Sequence, residues 1–383
     1  MDLRALTLYD HHCHSLLRPT SPRGDSDPTC AAAVSRFRDC FTESSYPGII
    51  PHVPSTLFYS RGLRELAAVL ECDPDERSLL TARHLLGPEA LAQKLIGAAG
   101  IEMLLVDTGL RADQNLSVEE LRLLLPCSVG PILRIETLAE TLLRETHSRA
   151  ELEDALRDRV SRARSDGYRS LKSIAAYRGG LDIDMDPDPG DVAAAWVRAR
   201  AAATDQGWRL TERPLLDHLL ISALEIAARE ELPLQVHVGF GDDDADLRTA
   251  NLLHLRRLLR EDRFRPVPVV LLHCWPFVRE AGYLAGIYPN VHVDLSLTFP
   301  FCAHGGEAAV LEMMEQAPGS KLMMATDASN IPDLYYLGAL FLREGVGNAL
   351  DSLVRRRWLT ASGAEAQASA LFRENAVKLY GAS

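Results

Sequence analysis

The chain has 383 residues, 47% of them hydrophobic and 25% charged, which suits a globular protein with a large buried core. Its net charge of −12 repels phosphate backbones and argues against a nucleic-acid partner. The N-terminus MDLRALTLYDHHCHS has no apolar signal segment, and no run of 18 apolar residues offers a membrane span, so the cytoplasm is the expected location. The seven cysteines, Cys13, Cys30, Cys40, Cys72, Cys127, Cys274 and Cys302, are scattered and form no CxxC pair, as expected of reduced thiols.

Taken in chain order, eight short apolar runs are expected as strands. The first, LTLYD (6–10), leads into His12 and His14. Residues two apart on a strand point the same way, so both imidazoles can grip one ion, and Asp10 can orient one of them. In residues 15–95, TSPRGDSDPT and SSYPGIIPHVPST mark loops and RGLRELAAVLE (61–71) a helix; His52 reads as a solvated loop histidine. IEMLLVDT (101–108) and GPILRIE (130–136) are the next strands, followed by a helix over 149–167. The fourth strand, RSLKSIAAY (169–177), carries Lys172 and runs into Tyr177 and Arg178. Residues 178–232 hold two helices where one would serve, the second over 214–231.

PLQVHV (233–238) carries His237 near its end, followed by GFG and the acidic run GDDDAD (241–246). GFG lacks the spacing of a dinucleotide loop, and the acidic run reads as a helix N-terminal cluster favoured by the dipole. After a helix over 250–261, PVVLLHC (268–274) carries His273 and precedes Trp275. VHVDLSL (291–297) precedes His304, and KLMMATD (321–327) ends at Asp327.

Continuously apolar strands alternating with helices predict a (β/α)8 TIM barrel in one domain, 1–383, with an open doubly wound sheet as the alternative. Residues 15–95 and 178–232 are helical insertions, expected over the active face. In a barrel the strand ends converge, so His12, His14, Lys172, His237, His273 and Asp327 meet at one point. Imidazole and carboxylate groups buried together suit a divalent metal, zinc first, with manganese or iron as alternatives.

This residue order, with DHHCHSLLRP (10–19), LKSIAAYRGGLDI (171–183), LQVHVGFGDDDADLRTANLLHLR (234–256) and ATDASNIPDLYYLGA (325–339), resembles the amidohydrolase superfamily. The closer resemblance is to its amidohydrolase-related, FluG-type branch, expected here without the glutamine-synthetase-like domain that some members carry. The resemblance implies that His12, His14, His237 and Asp327 hold a catalytic metal or its water. It implies that His273 binds a second metal or polarises the substrate. It also implies that Lys172 is carbamylated between two ions; a plain amine facing an anionic substrate group is the alternative, so one and two ions both stay open.

The expected activity is metal-dependent hydrolysis of an amide, or a related C–N or ester bond, in a small molecule. A bound ion activates water, Asp327 acts as general base, and His273 assists at the oxyanion. A non-oxidative decarboxylase and a non-catalytic regulatory barrel are the alternatives. Arg178, Tyr177, Trp275 and His304 are candidate substrate contacts, Arg178 as a clamp for a carboxylate. A homo-oligomer is left open.

Overall fold

The computed structural model describes residues 1–19, 27–205 and 207–382. Eight parallel strands run in sequential order: β1 Leu8–Cys13, β2 Ile101–Asp107, β3 Ser128–Arg134, β4 Ser170–Ser173, β5 Leu234–His237, β6 Val269–Leu272, β7 Val291–Asp294 and β8 Leu322–Met323. β8 is two residues long, and the segment after it closes the ring against β1. Asp327 N donates to His12 O at 3.0 Å, His14 N to Ala328 O at 2.8 Å and Leu17 N to Asn330 O at 2.9 Å. The result is a (β/α)8 barrel.

Side chains alternate between two apolar layers, as the period of two requires. On β2, Met103 and Leu105 face an inner cluster with Ile132, Val270, Leu272 and Met323. Leu104 and Val106 face the outer layer under the helices. The C-terminal helix Asn375–Tyr380 sends Ala376 and Tyr380 into the inner cluster. By the same parity Asp107, Arg134, Lys172, Gln235 and His237 turn inward.

Several elements are shorter than their sequence patterns predict. β4 ends at Ser173 because Glu136 captures the Ile174 N–H at 3.0 Å; a 3-10 turn, Ala175–Arg178, follows. Instead of one helix over 250–261, a 3-10 turn Leu252–Leu255 precedes a short helix, Arg256–Arg260, and the Asn251 side chain accepts from Leu253 N. The acidic run GDDDAD starts no helix. It is a loop whose carboxylates are taken by neighbours: Asp243 by Ser45, Asp244 by Arg209 and Asp246 by Arg248.

Between β1 and β2 lie the helices Ala31–Asp39, Leu57–Leu70, Glu76–Leu86 and Pro88–Ala98 and a 3-10 segment, Pro47–Ser55. The Ser45–Asp243 bonds tie this stretch to the loop after β5. Between β4 and β5, helices Pro189–Ala202 and Arg213–Glu230 pack on each other and on the outer-layer helices Ile135–Glu145 and Arg149–Arg162. No helix among the described residues is long and apolar enough to cross a membrane.

Candidate metal centre

β1 is irregular between Asp10 and Cys13, where its register with β2 shifts. This shift lets the consecutive residues His11 and His12 both reach inward, which strict alternation forbids. It also overturns the expectation for Asp10. Asp10 turns away from the histidines and accepts from Thr326 N, 3.0 Å, and from the Thr326 hydroxyl. It thereby anchors the segment that carries Asp327. Burial pushes its carboxyl up to about 7 against the pull of those bonds.

Around Asp327 the strand ends converge. His12 Nε2 lies 3.2 Å and His14 Nε2 3.4 Å from Asp327 Oδ1, and His273 Nδ1 lies 3.5 Å from Oδ2. The His237 ring packs 4.4 Å from the His273 ring. Lys172 Nζ is 3.2 Å from His12 Nε2. Burial, then the Lys172 charge, drives His12 down to about 3. Burial with His273 and Lys172 drives His237 well down, and burial lowers His273. These imidazoles are neutral at physiological pH, the form that ligates metals. Burial opposes ionisation of Asp327, yet its surroundings, the His273 ring first among them, outweigh it and hold the carboxyl well below its usual range. Burial lowers Lys172 to about 8 while Asp107 and Asp327 pull the other way.

The histidines are held by their outer nitrogens. Gln235 Nε2 donates to His11 O at 2.7 Å and to the Tyr380 hydroxyl at 3.1 Å. A backbone carbonyl can only accept, so the amide oxygen must face His12, and His12 Nδ1 donates to it at 2.8 Å. His12 Nε2 therefore carries a lone pair, and it faces the Asp327 carboxylate. His273 Nδ1 meets Ser296 Oγ at 2.8 Å, and Asp294 Oδ1 accepts from His273 N at 2.6 Å and from Ser296 Oγ at 2.9 Å. His11 Nε2 lies 3.2 Å from the other Asp294 oxygen. His273 and Asp327 both have left-handed backbones, φ 71° and 52°, a conformation costly for non-glycine residues and common at functional sites.

A divalent ion fits these residues. His237 Nε2 and Asp327 Oδ1 are buried without a hydrogen-bond partner among the described residues. One ligating atom from each of His12, His273 and Asp327 lies within 4.8 Å of the others, and the same holds for His12, His14 and Asp107. Orphaned buried acceptors of this kind are costly unless a cation joins them.

The remaining candidates divide. Tyr177 joins the site, its ring 4.4 Å from that of His237. Trp275 stands 38% exposed at the rim, edge-on to Phe240. Arg178 is buried against Glu140, 3.3 Å from its Nη2, and Glu140 also accepts Leu210 N, so Nη2 is engaged beside the loop after β4 while Nε is buried without a partner among the described residues. His304 and His52 are exposed. Asp294, Gln235, Asp107, Arg134 and Glu43 escaped the sequence reading. The first four lie within apolar strand runs and could have been found there. Glu43 lies in the long insertion, where no pattern marks it. Burial and the charges of Asp327 and Asp242 push its carboxyl up to about 8.

The profile of the amidohydrolase family matches residues 169–382. The chain belongs to the amidohydrolase family. This amidohydrolase is 27% identical to the fluG protein of Emericella nidulans over 410 residues, covering 97% of the chain but only 45% of that protein's length. Among solved structures it resembles a Lactobacillus casei protein inferred to be a metal-dependent hydrolase. That match has a TM-score of 0.87 and 30% identity, over 99% of this chain and 97% of the other. A uronate isomerase of Thermotoga maritima shares the fold at a TM-score of 0.67 and 14% identity, over 98% and 95% of the two chains.

Proposed function

We propose that the protein is a metal-dependent hydrolase of an amide, or a related C–N or ester bond, in a small molecule. The observation that carries this reading is the convergence of His12, His14, His237, His273 and Asp327, with buried acceptor atoms facing one another. His12, His14, His237 and Asp327 would hold a divalent ion, zinc first, with manganese or iron as alternatives. When bound, that ion supplies Lewis acidity and an activated water at neutral pH.

The chain's own groups do the rest. Asp327, ionised and hemmed in by imidazoles, takes the proton of the attacking water and returns it to the leaving amine or alcohol. His273, whose Nδ1–H is taken by Ser296 and Asp294, presents its other nitrogen as an acceptor and would hold a second ion that polarises the substrate carbonyl oxygen, or donate to that oxygen once it has itself taken up a proton. Tyr177, beside His237, and Trp275, at the rim, offer apolar and polar edges to the substrate. We place the enzyme in the cytoplasm, in keeping with its seven unpaired cysteines.

Turnover of a candidate substrate in 18O-labelled water tests the reading. Hydrolysis puts one labelled oxygen into the acid product. Release of carbon dioxide without label would overturn it in favour of decarboxylation on the same residues.

A further inference from the structure

Beside the metal-ligand cluster, at the ends of β2, β3 and β4, stands a buried guanidinium with unused donors. Arg134 is only 9% exposed. It spends Nε and Nη2 on Asp107, at 2.9 and 2.6 Å. Asp107 is otherwise occupied by Gly109 N, at 2.9 Å, and an added Cβ on Gly109 would lie 2.6 Å from Arg134 Cδ, so the backbone wraps closely round this pair. Glu136, the other carboxylate near Arg134, turns its Oε1 to Ser173 Oγ and Ile174 N. Nη1 of Arg134 has no partner among the described residues. A guanidinium carries five N–H donors, and Nη1, which is not among the enclosed unpartnered atoms, keeps its two open to a ligand.

Its position gives those donors a use. Arg134 and Lys172 are direct neighbours in the β3–β4 register, and both turn inward. Asp107 lies within 4.8 Å of the ligating atoms of His12 and His14. Through Asp107 the guanidinium therefore borders the metal-ligand cluster, on the Lys172 side. Asp107 neutralises one positive charge and leaves the other.

We infer that Arg134, with Lys172 beside it as a plain amine, forms a subsite for a carboxylate on the substrate, so that the substrate is a small acid. The subsite rests on the proposed metal-dependent hydrolysis. It assigns the clamp to Arg134, since Arg178 is engaged elsewhere. A planar guanidinium already held on one side by Asp107 loses little freedom when it accepts a carboxylate on the other.

The test uses the zinc-loaded protein and paired hydroxamates of malonic, succinic and glutaric acid. Each pair shares the metal-binding hydroxamate and ends in either a carboxylate or its neutral amide. The subsite predicts that one carboxylate probe binds roughly 10-fold or more tighter than its amide, the scale of a charge-assisted hydrogen bond. It also predicts that Arg134→Gln erases this preference while amide binding stays the same. Because Arg134→Gln strands Asp107, Arg134→Lys, which keeps a cation beside that carboxylate but lacks the planar fork, supplies the check and should also lose most of the preference while amide binding stays the same. Equal binding within every pair overturns the subsite and leaves the metal reading standing. Loss of a metal ion in both variants overturns it too, by assigning Arg134 to holding a modified Lys172. Binding of no hydroxamate at all overturns the metal reading itself.

Discussion

At the scale of single residues, the site is decided by which atoms are left without partners. His237 Nε2 is buried and bare, and His12 Nε2 faces a carboxylate with a lone pair rather than a proton. Replacing Asp327 by Asn keeps the shape and removes the proton acceptor. Turnover of a confirmed substrate should fall by ~10²–10⁴ with the circular-dichroism spectrum unchanged; near-normal turnover would exclude Asp327 as the base. Lys172 separates the two metal schemes. If it is carbamylated, Lys172→Ala should lose one of two ions, and added bicarbonate or a small carboxylic acid should restore part of it. If it is a plain amine, the variant keeps its metal and loses mainly substrate affinity.

The residues visible in the sequence were those that break an apolar strand at its end, as His237, His273 and Asp327 do. Asp10 was misjudged because a register shift in β1 cannot be read from spacing. Arg178 was misjudged because its partner, Glu140, lies on a separate helix, far away in sequence.

At the scale of elements, the strand runs were legible because both faces of a parallel barrel strand are buried, and their true ends were not. β4 stops early where Glu136 takes the Ile174 N–H, and β8 where Met324 N turns to Leu371 O, with Asp10 taking Thr326 N beyond it. The loop after β5 shows the same logic. Gly239 has φ 75°, and a Cβ there would run into the Trp275 carbonyl oxygen. Gly241 has no room for a Cβ against the Tyr177 hydroxyl. The GFG sequence is thus a packing requirement between the ends of β4, β5 and β6. Gly239→Ala should destabilise the protein by roughly 1–3 kcal/mol, from strain at positive φ and the clash. Urea unfolding checks this, and an unchanged midpoint would contradict the packing account.

At the scale of the whole molecule, the C-terminal helix closes the bottom of the barrel and reaches the site from below. Tyr380 stacks on His11 with ring centres 5.7 Å apart, and its hydroxyl accepts from Gln235, which fixes His12. The Tyr9 hydroxyl donates to Gly381 O at 3.1 Å and pins the segment in place. Gln235→Leu should weaken zinc binding about 10- to 100-fold, the usual effect of removing a ligand's supporting bond, and Tyr380→Phe should weaken it less. Competition with a chromophoric chelator measures both. Wild-type affinity in Gln235→Leu would show that His12 needs no such support. This coupling was invisible in the sequence because it joins residues 12, 235 and 380 through the barrel interior.

The central claim is that the converging histidines and Asp327 bind a divalent metal, and metal content tests it most directly. Wild-type protein loaded with zinc, desalted and assayed by elemental analysis should retain about one or two ions per chain. His237→Ala and His12→Ala, folded by circular dichroism, should lose that metal. Folded wild-type protein that retains no metal, or full occupancy in both variants, would contradict the account.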